Sequence, residues 1–533
     1  MFFQKIPVLS LLAVAGPLVA AWPKPPMHAH ILQRQVEVQD EYDYVIIGGG
    51  TSGLTVDTVL VIEIGQYHNA SGMHPSRMFD ITSEPNPELN GRSFAVGIGR
   101  AVGGSSIVNG QVMQRGTKPE YDAWQELGGP DSDWDWDGLL PYFRKGITLS
   151  PPDEDVAAEF NVSYNPEYWG TETPIYAAFG NGRPAEVTSM SLSLIVGAKV
   201  NQILFDDELA ATGVQFISVN ETAPEPRVVR ARREVILAAG TIHTPQVLQL
   251  SGIGPSAALE DIGIDVKVDL PGVGSNFQDH SYIPWIGYQW GRPPGGAPGN
   301  GMVGSPNLLA QVGLPVLSPD NYESLTARYE EQDPLSHLPE SYTPEQVEGY
   351  RQQQAVYARL LRAPDTTVNS MMMTGPGGSI QNLHPLSRGI VSLNPEDPEG
   401  EVTVDYRAAT NELDLEVMAE NILFMRRYMQ AEAFQPYSPR EILPGASVST
   451  REQLVNWVKG QIIPSVYHPV GTAAKVPREQ GGVVDEQLLV YGTSRLSIID
   501  ASIMPTLVGA TTQMTVYAVA EKAADLIKAR TFD

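Results

Sequence analysis

The stretch Tyr42-Asp43-Tyr44-Val45-Ile46-Ile47-Gly48-Gly49-Gly50-Thr51-Ser52-Gly53 decides how the rest of the chain is read. Its first half is apolar enough for a short buried strand and runs straight into a G-x-G-x-x-G turn. Glycines suit a tight turn whose backbone must approach a pyrophosphate, with peptide N–H groups at a following helix start holding the anion. The motif alone is weak, since an ordinary glycine-rich turn also satisfies it. A second apolar strand, Val59 to Ile62, ends in Glu63, an acid placed to accept from ribose hydroxyls. Strand, turn, strand and acid together read as a dinucleotide-binding unit. One spacing is out of pattern: Gly53 and Glu63 are ten residues apart, where about twenty usually separate motif and acid. Leu54-Thr55-Val56-Asp57 is too short for a full crossover helix, so either the unit is unusual or a piece of it has been lost.

The rest of the composition narrows the class. At 533 residues the chain is long enough for more than one core. Hydrophobic residues at 42% and charged residues at 18% describe a globular protein. Acidic residues number 62 against 35 basic ones, a net charge of −27. That field repels phosphate backbones and anionic membrane surfaces, so neither nucleic acid nor membrane is an expected partner. The absence of cysteine excludes disulfides, thiolate nucleophiles, zinc–cysteine sites and iron–sulfur clusters, and no metal-ligand set is assigned. Lys5, the apolar run Ile6 to Ala21 and the small residues Val19-Ala20-Ala21 read as a secretory signal over residues 1–21, cut before Trp22. The run is shorter than the ~20 residues of a membrane span. A secreted or secretory-pathway location is expected, with N-glycans at the sequons of Asn69, Asn161 and Asn220.

Further motifs follow in a fixed order. They are Gly99-Arg100-Ala101-Val102-Gly103-Gly104-Ser105-Ser106-Ile107-Val108-Asn109-Gly110, then Ala239-Gly240-Thr241-Ile242-His243-Thr244-Pro245, then Leu250-Ser251-Gly252-Ile253-Gly254-Pro255. Asn276, Gln278, Asp279 and His280 come next, and His468-Pro469-Val470-Gly471-Thr472 stands near the end. Together these resemble the glucose–methanol–choline (GMC) family of FAD oxidoreductases from residue 42 to residue 528, nearest its secreted fungal secondary-metabolism branch of patulin synthase-like and versicolorin B synthase-like enzymes. The resemblance implies an α/β FAD-binding domain of Rossmann type and an α+β substrate domain with an antiparallel sheet, both with shortened segments. It implies that Gly48, Gly50, Gly53 and Glu63 hold the ADP half of FAD. It puts Val102, Ser105 and Asn109 on the flavin side, Val200 against adenine, and Asp500, Ala501 and Gln513 near the pyrophosphate and ring. His468 matches the catalytic histidine and Thr511 the second active-site position.

The chemistry of the residues agrees. Oxidising an alcohol removes a hydroxyl proton and a carbon-bound hydride; a cofactor takes the hydride, and a histidine near neutral pKa suits the proton. His243, His280 and His384 fall inside motifs but off the catalytic position and read as structural. Thr511 stands where the family carries His or Asn, and threonine cannot serve as a base near pH 7. Val108 precedes Asn109 where covalently flavinylated members carry His, so FAD is expected to be noncovalent. The stretch from Lys145 to Val200 is shorter than the family's. The resulting domain reading is a signal peptide (1–21), a leader (22–40), an FAD domain (41–145, 196–285 and 466–533) and a substrate domain (146–195 and 286–465). Helices are expected over Pro344 to Leu361, Leu413 to Met429 and Met514 to Lys528, and Met371 to Met373 reads as core.

The leading functional expectation is FAD-dependent oxidation of a small aromatic or secondary-metabolite alcohol, with His468 as base and O₂ or an unknown acceptor. Two alternatives stand beside it. One is a flavin-containing cyclase or lyase without net redox change. The other is a truncated, inactive paralogue.

Overall fold

The computed structural model describes residues 29–32, 38–55, 60–67, 74–159, 161–171, 173, 175–178, 192–292, 308–373 and 377–530. The expected signal peptide and Asn69 lie outside them. Asn161 and Asn220 are exposed.

The strands that matter are β1 (Ala29–Leu32), β2 (Glu41–Ile47), β3 (Leu60–Glu63), β4 (Leu192–Val196), β5 (Ala198–Phe205), β6 (Ala211–Ser218) and β7 (Arg227–Leu237). They continue as β8 (Ser281–Trp290), β9 (Leu308–Val312), β10 (Asn369–Met373), β11 (Gly377–Asn382), β12 (Pro439–Leu443) and β13 (Leu496–Ile498). The first sheet runs β1-β4-β3-β2-β7-β6-β5, with β13 also on β7. Its pairs are parallel from β1 to β7 and at β13, and antiparallel along the β7-β6-β5 edge. Val45, Ile46, Leu60 and Val61 have no exposed surface. That continuous burial is what apolar, unalternating strands give in a parallel sheet covered on both faces.

The second sheet is antiparallel, in the order β9-β10-β11-β8-β12. Here alternation divides the faces. Met371 and Met373 enter the core beneath the sheet, while Ser370 and Met372 line a cavity on the other face. The methionine run is therefore only partly core.

Around the sheets lie α1 (Lys118–Gly128), α2 (Trp136–Gly146), α3 (Gly240–Leu250), α4 (Pro344–Arg362), α5 (Leu413–Met429) and α6 (Gln513–Ala529). α4 starts at a capping box, Thr343 with Gln346, and at the start of α1 the Glu120 carboxylate accepts from the Thr117 N–H, each helix with proline in the first turn. α6 packs on α2 and on the turn after β2, and α5 packs on β11. Among the described residues no helix is long and apolar enough to cross a membrane.

Three boundaries need correction. The leader contributes β1, which extends the parallel sheet beside β4. β4 itself, assigned to the substrate portion, joins the parallel sheet. β8 runs across the expected break between 285 and 286 and belongs whole to the antiparallel sheet. A strand belongs to whichever sheet pairs its backbone, and short strands carry too little pattern to announce that pairing. β2 and β3 pair in parallel, and the described part of the connection after β2 holds a three-residue 3₁₀ helix, Gly53–Thr55; residues 56–59 lie outside the described residues.

Candidate active site

β2 lies between β3 and β7, so the chain leaves its neighbours on opposite sides and opens a crevice at the carboxyl ends of the strands. A cavity of about 520 Å³ fills that crevice and extends under the antiparallel sheet. Gly48, Gly50, Glu63, Ser105, Asn109, Val200, His468, Asp500, Ala501, Thr511 and Gln513 all line it. Gly53 and Val102 do not. Gly53 packs against the Gly48 carbonyl, where an added Cβ would come within 2.0 Å, and Val102 donates its N–H to Gln66. Both shape the turn from behind.

The nucleotide end is made of backbone. Gly48 has φ +104°, and a Cβ there would stand 2.4 Å from the Ala238 carbonyl oxygen. A Cβ on Gly50 would meet nothing nearer than Gly104 at 3.8 Å, so the turn leaves open space above it. Gly103 N–H bonds the Gly49 carbonyl at 2.8 Å and ties the second glycine loop to the first. Glu63 accepts from Gly49 N–H at 2.7 Å and Gly65 N–H at 2.6 Å. Burial raises its pKa while those bonds oppose the rise. Its carboxylate thus fixes the glycine turn as well as facing the cavity. The helix start expected after the turn is replaced by the 3₁₀ turn. The start of α3, Ala239 to Thr241, also faces the cavity. Asp500 anchors it, accepting from Gly240 N–H at 2.9 Å and the Thr244 hydroxyl at 2.6 Å.

The other end is made of side chains. Asn109 donates to Gln513 at 2.7 Å, joining the loop after β3 to the first turn of α6. Val108 sits in the wall with no nitrogen to offer a flavin. His468 follows Tyr467, whose φ is +70°, an uncommon backbone for a bulky residue and a mark of a position fixed by its surroundings. Asp279 holds the segment, accepting from His468 N–H at 3.0 Å and the Ser465 hydroxyl at 2.6 Å. Burial raises Asp279 to about 7.

Behind His468 stands His280, fully buried, with its Nδ1 2.9 Å from His468 Nδ1. This contact was missed by the structural reading of His280, because 188 residues separate the two. The pair has one consistent neutral arrangement. His280 Nε2 is 3.1 Å from the Val508 carbonyl, which only accepts, so that nitrogen carries the hydrogen. His280 Nδ1 is then an acceptor and His468 Nδ1 the donor to it. The lone pair of neutral His468 is left on Nε2. Burial lowers His468 to about 4, so it is neutral at physiological pH. Thr511 donates its hydroxyl to the Val112 carbonyl at 2.8 Å. His243 stacks on Phe79 at the wall, and buried His384 bonds Glu120 at 3.0 Å.

Known proteins resemble this chain in sequence and fold. Family profiles described as GMC oxidoreductase match residues 42–168 and 183–282 for the N-terminal part and 385–520 for the C-terminal part. The chain belongs to the GMC oxidoreductase family. A dehydrogenase from Emericella nidulans, xptC, is 29% identical over 94% of this chain and 95% of its own length. The solved structure of a new fungal aryl-alcohol oxidase superposes with a TM-score of 0.84 at 31% identity, covering 92% of this chain and 99% of that one. An FAD-dependent oxidoreductase from Chaetomium thermophilum also gives 0.84, at 28% identity over 91% and 99%. The alignment to the Emericella enzyme spans 597 positions, although 94% of this chain is about 501 residues. This GMC chain therefore lacks about 96 positions that its relative fills.

As a GMC oxidoreductase the protein is an FAD enzyme acting on alcohols, with the cofactor held noncovalently. The residues present fit that cofactor. The open space over Gly50 suits a pyrophosphate, and Glu63 at the end of β3 suits a ribose.

Proposed function

We propose that this enzyme oxidises a small aromatic or otherwise largely apolar alcohol, with Nε2 of His468 as the base that takes the hydroxyl proton. Bound FAD supplies the acceptor for the hydride. His468 begins neutral with its lone pair on the cavity side, and as it gains the proton its Nδ1–H remains bonded to His280. The Val508 carbonyl fixes His280, and Asp279 fixes the backbone of His468, so the base is oriented before substrate arrives. Thr511, its hydroxyl committed to Val112, helps shape the cavity and moves no proton. Gly48, Gly50 and Glu63 hold the nucleotide, Val200 borders the adenine, Ser105 and Asn109 border the flavin, and Asp500, Ala501 and Gln513 border the pyrophosphate and ring. The single observation that carries the reading is the His280–His468 contact with His280 locked by a carbonyl. The likeness to an aryl-alcohol oxidase supports the substrate class. A secretory origin, resting on residues 1–21, is part of the same proposal; N-terminal sequencing that finds Met1 on mature protein would defeat it.

Anaerobic stopped-flow reduction of the flavin by benzyl alcohol tests the mechanism. His468→Ala should keep its FAD and slow reduction by about 10²–10⁴-fold. Equal rates for wild type and variant would remove His468 from the chemistry. Turnover of a substrate without bleaching of the flavin would favour a cyclase instead.

A further inference from the structure

We infer that β9, β10 and β11 carry a polar recognition strip, Gln311–Ser370–Gln381, which binds a second, uncharged hydroxyl or phenol on the alcohol substrate. The inference rests on the reading of this cavity as an alcohol site. Ladder register sets the three side by side: Gln311 pairs with Ser370, and Ser370 pairs with Gln381. All three line the cavity. In the adjacent row on the same face Leu309 stands opposite Met372, both lining the cavity, and Ser379 follows on β11. The Leu309–Met372 pair suits a hydrocarbon body, and the Gln311–Ser370–Gln381 row suits a group that makes hydrogen bonds.

The polar row is poorly satisfied by the protein itself. Ser370 is 2% exposed and Gln381 8% exposed, yet neither side chain has a hydrogen-bond partner among the described residues. Both groups open on the cavity, so the hydroxyl and the amide are free to bond a ligand or a water there. Gln311 donates its Nε2 to the Gly509 carbonyl at 3.0 Å, which leaves its Oε1 as an acceptor. Gly509 follows Val508, the carbonyl that locks His280, so the strip starts one peptide away from the catalytic pair. An acceptor, a hydroxyl and an amide together match a group that both donates and accepts. No arginine lines the cavity among the described residues, and the ammonium of Lys199 is bound to the Glu399 carbonyl. A carboxylate on the substrate would meet no arginine there, and a neutral hydroxyl needs none.

The test uses the FAD-loaded enzyme with benzyl alcohol and with 3- and 4-hydroxybenzyl alcohol. Wild type is expected to prefer a hydroxylated alcohol by about ten- to a hundredfold in kcat/KM. Gln381→Leu should reduce that preference by about tenfold, through KM, while leaving benzyl alcohol within about twofold and the FAD content unchanged. Ser370→Ala, which removes a single oxygen, makes the same test if Gln381→Leu does not fold. Titration with benzaldehyde and the matching hydroxybenzaldehydes, followed by perturbation of the flavin spectrum, reads the preference without turnover. A preference in the titration with no flavin reduction by any alcohol would defeat the oxidation reading and leave the strip standing. Equal kcat/KM for all three alcohols, or loss of FAD from both variants, would overturn the strip.

Discussion

At the glycine turn the cavity wall is backbone; at His468 it is side chain bonded to side chain. The first end is described by a few dihedral angles and close approaches, Gly48 on Ala238 and Gly104 on Gly50. The second is described by a chain of hydrogen bonds from Val508 to His280 to His468, with Asp279 and Ser465 beneath. The difference teaches what each end tolerates. A backbone cradle fails sterically and all at once, since any side chain enters the space. A bonded network fails by degrees, according to how well the replacement donates and accepts.

Substitutions can break this contrast. The largest effect is expected at Gly48. Gly48→Ala puts a Cβ 2.4 Å from a carbonyl oxygen at φ +104° and should give protein without FAD, read as the ratio of flavin to protein absorbance. A fully yellow variant would show that the turn is not the cradle. Next comes His280. His280→Phe removes the acceptor for His468 Nδ1–H and should slow flavin reduction by about ten- to a hundredfold with FAD retained. His280→Gln can still accept from His468 and donate to Val508, so it should recover most of the rate. If both variants behave alike, His280 is packing and nothing more.

The smaller effects sharpen the contrast. Because burial holds His468 at about 4, the rate of flavin reduction should stay level below pH 6.5 and fall only as pH approaches 4. A limb centred at 6.5 would mean an ordinary, solvated histidine. Stability gives a less clean reading. Between 6.5 and 4 the unfolded chain binds the His468 proton first, so this group's contribution is present above 6.5 and lost as pH falls. Buried Asp279, raised to about 7, acts with the opposite sign, since the fold holds its proton to higher pH than the unfolded chain does. Thr511→Ala should be the mildest change, no more than about tenfold in rate, because it loses one hydrogen bond to Val112.

Much of the fold was legible because its signals are local. The glycine turn, the acid after β3 and the helices over Pro344–Arg362 and Leu413–Met429 each declare themselves within a few turns of chain. His468 was found through a motif, and its place in the wall agrees with that. His280 was passed over because its meaning lies in a contact with a residue far along the chain. The Gln311–Ser370–Gln381 row exists only once three strands have chosen their register, and no spacing in the sequence states that register. β1 escaped notice for a related reason: four residues hold too little alternation to mark a strand until β4 offers its edge. The shortened crossover was visible as a count of residues, although the counting could not say that β2 and β3 would still pair.

The order of the parallel sheet also sets the order in which the molecule can be finished. β1 waits for β4, some 160 residues later, and β7 waits for β13 near the carboxyl end. The walls of the cavity run from Ile47 to Val516, so no early fragment of the nascent chain holds a complete binding site. Non-local parallel pairing is slow to form because long loops must close first. FAD that binds the finished fold withdraws it from the unfolding equilibrium, and a chain that stalls before α6 keeps the glycine turn but lacks the Gln513 and Val516 part of the cavity wall.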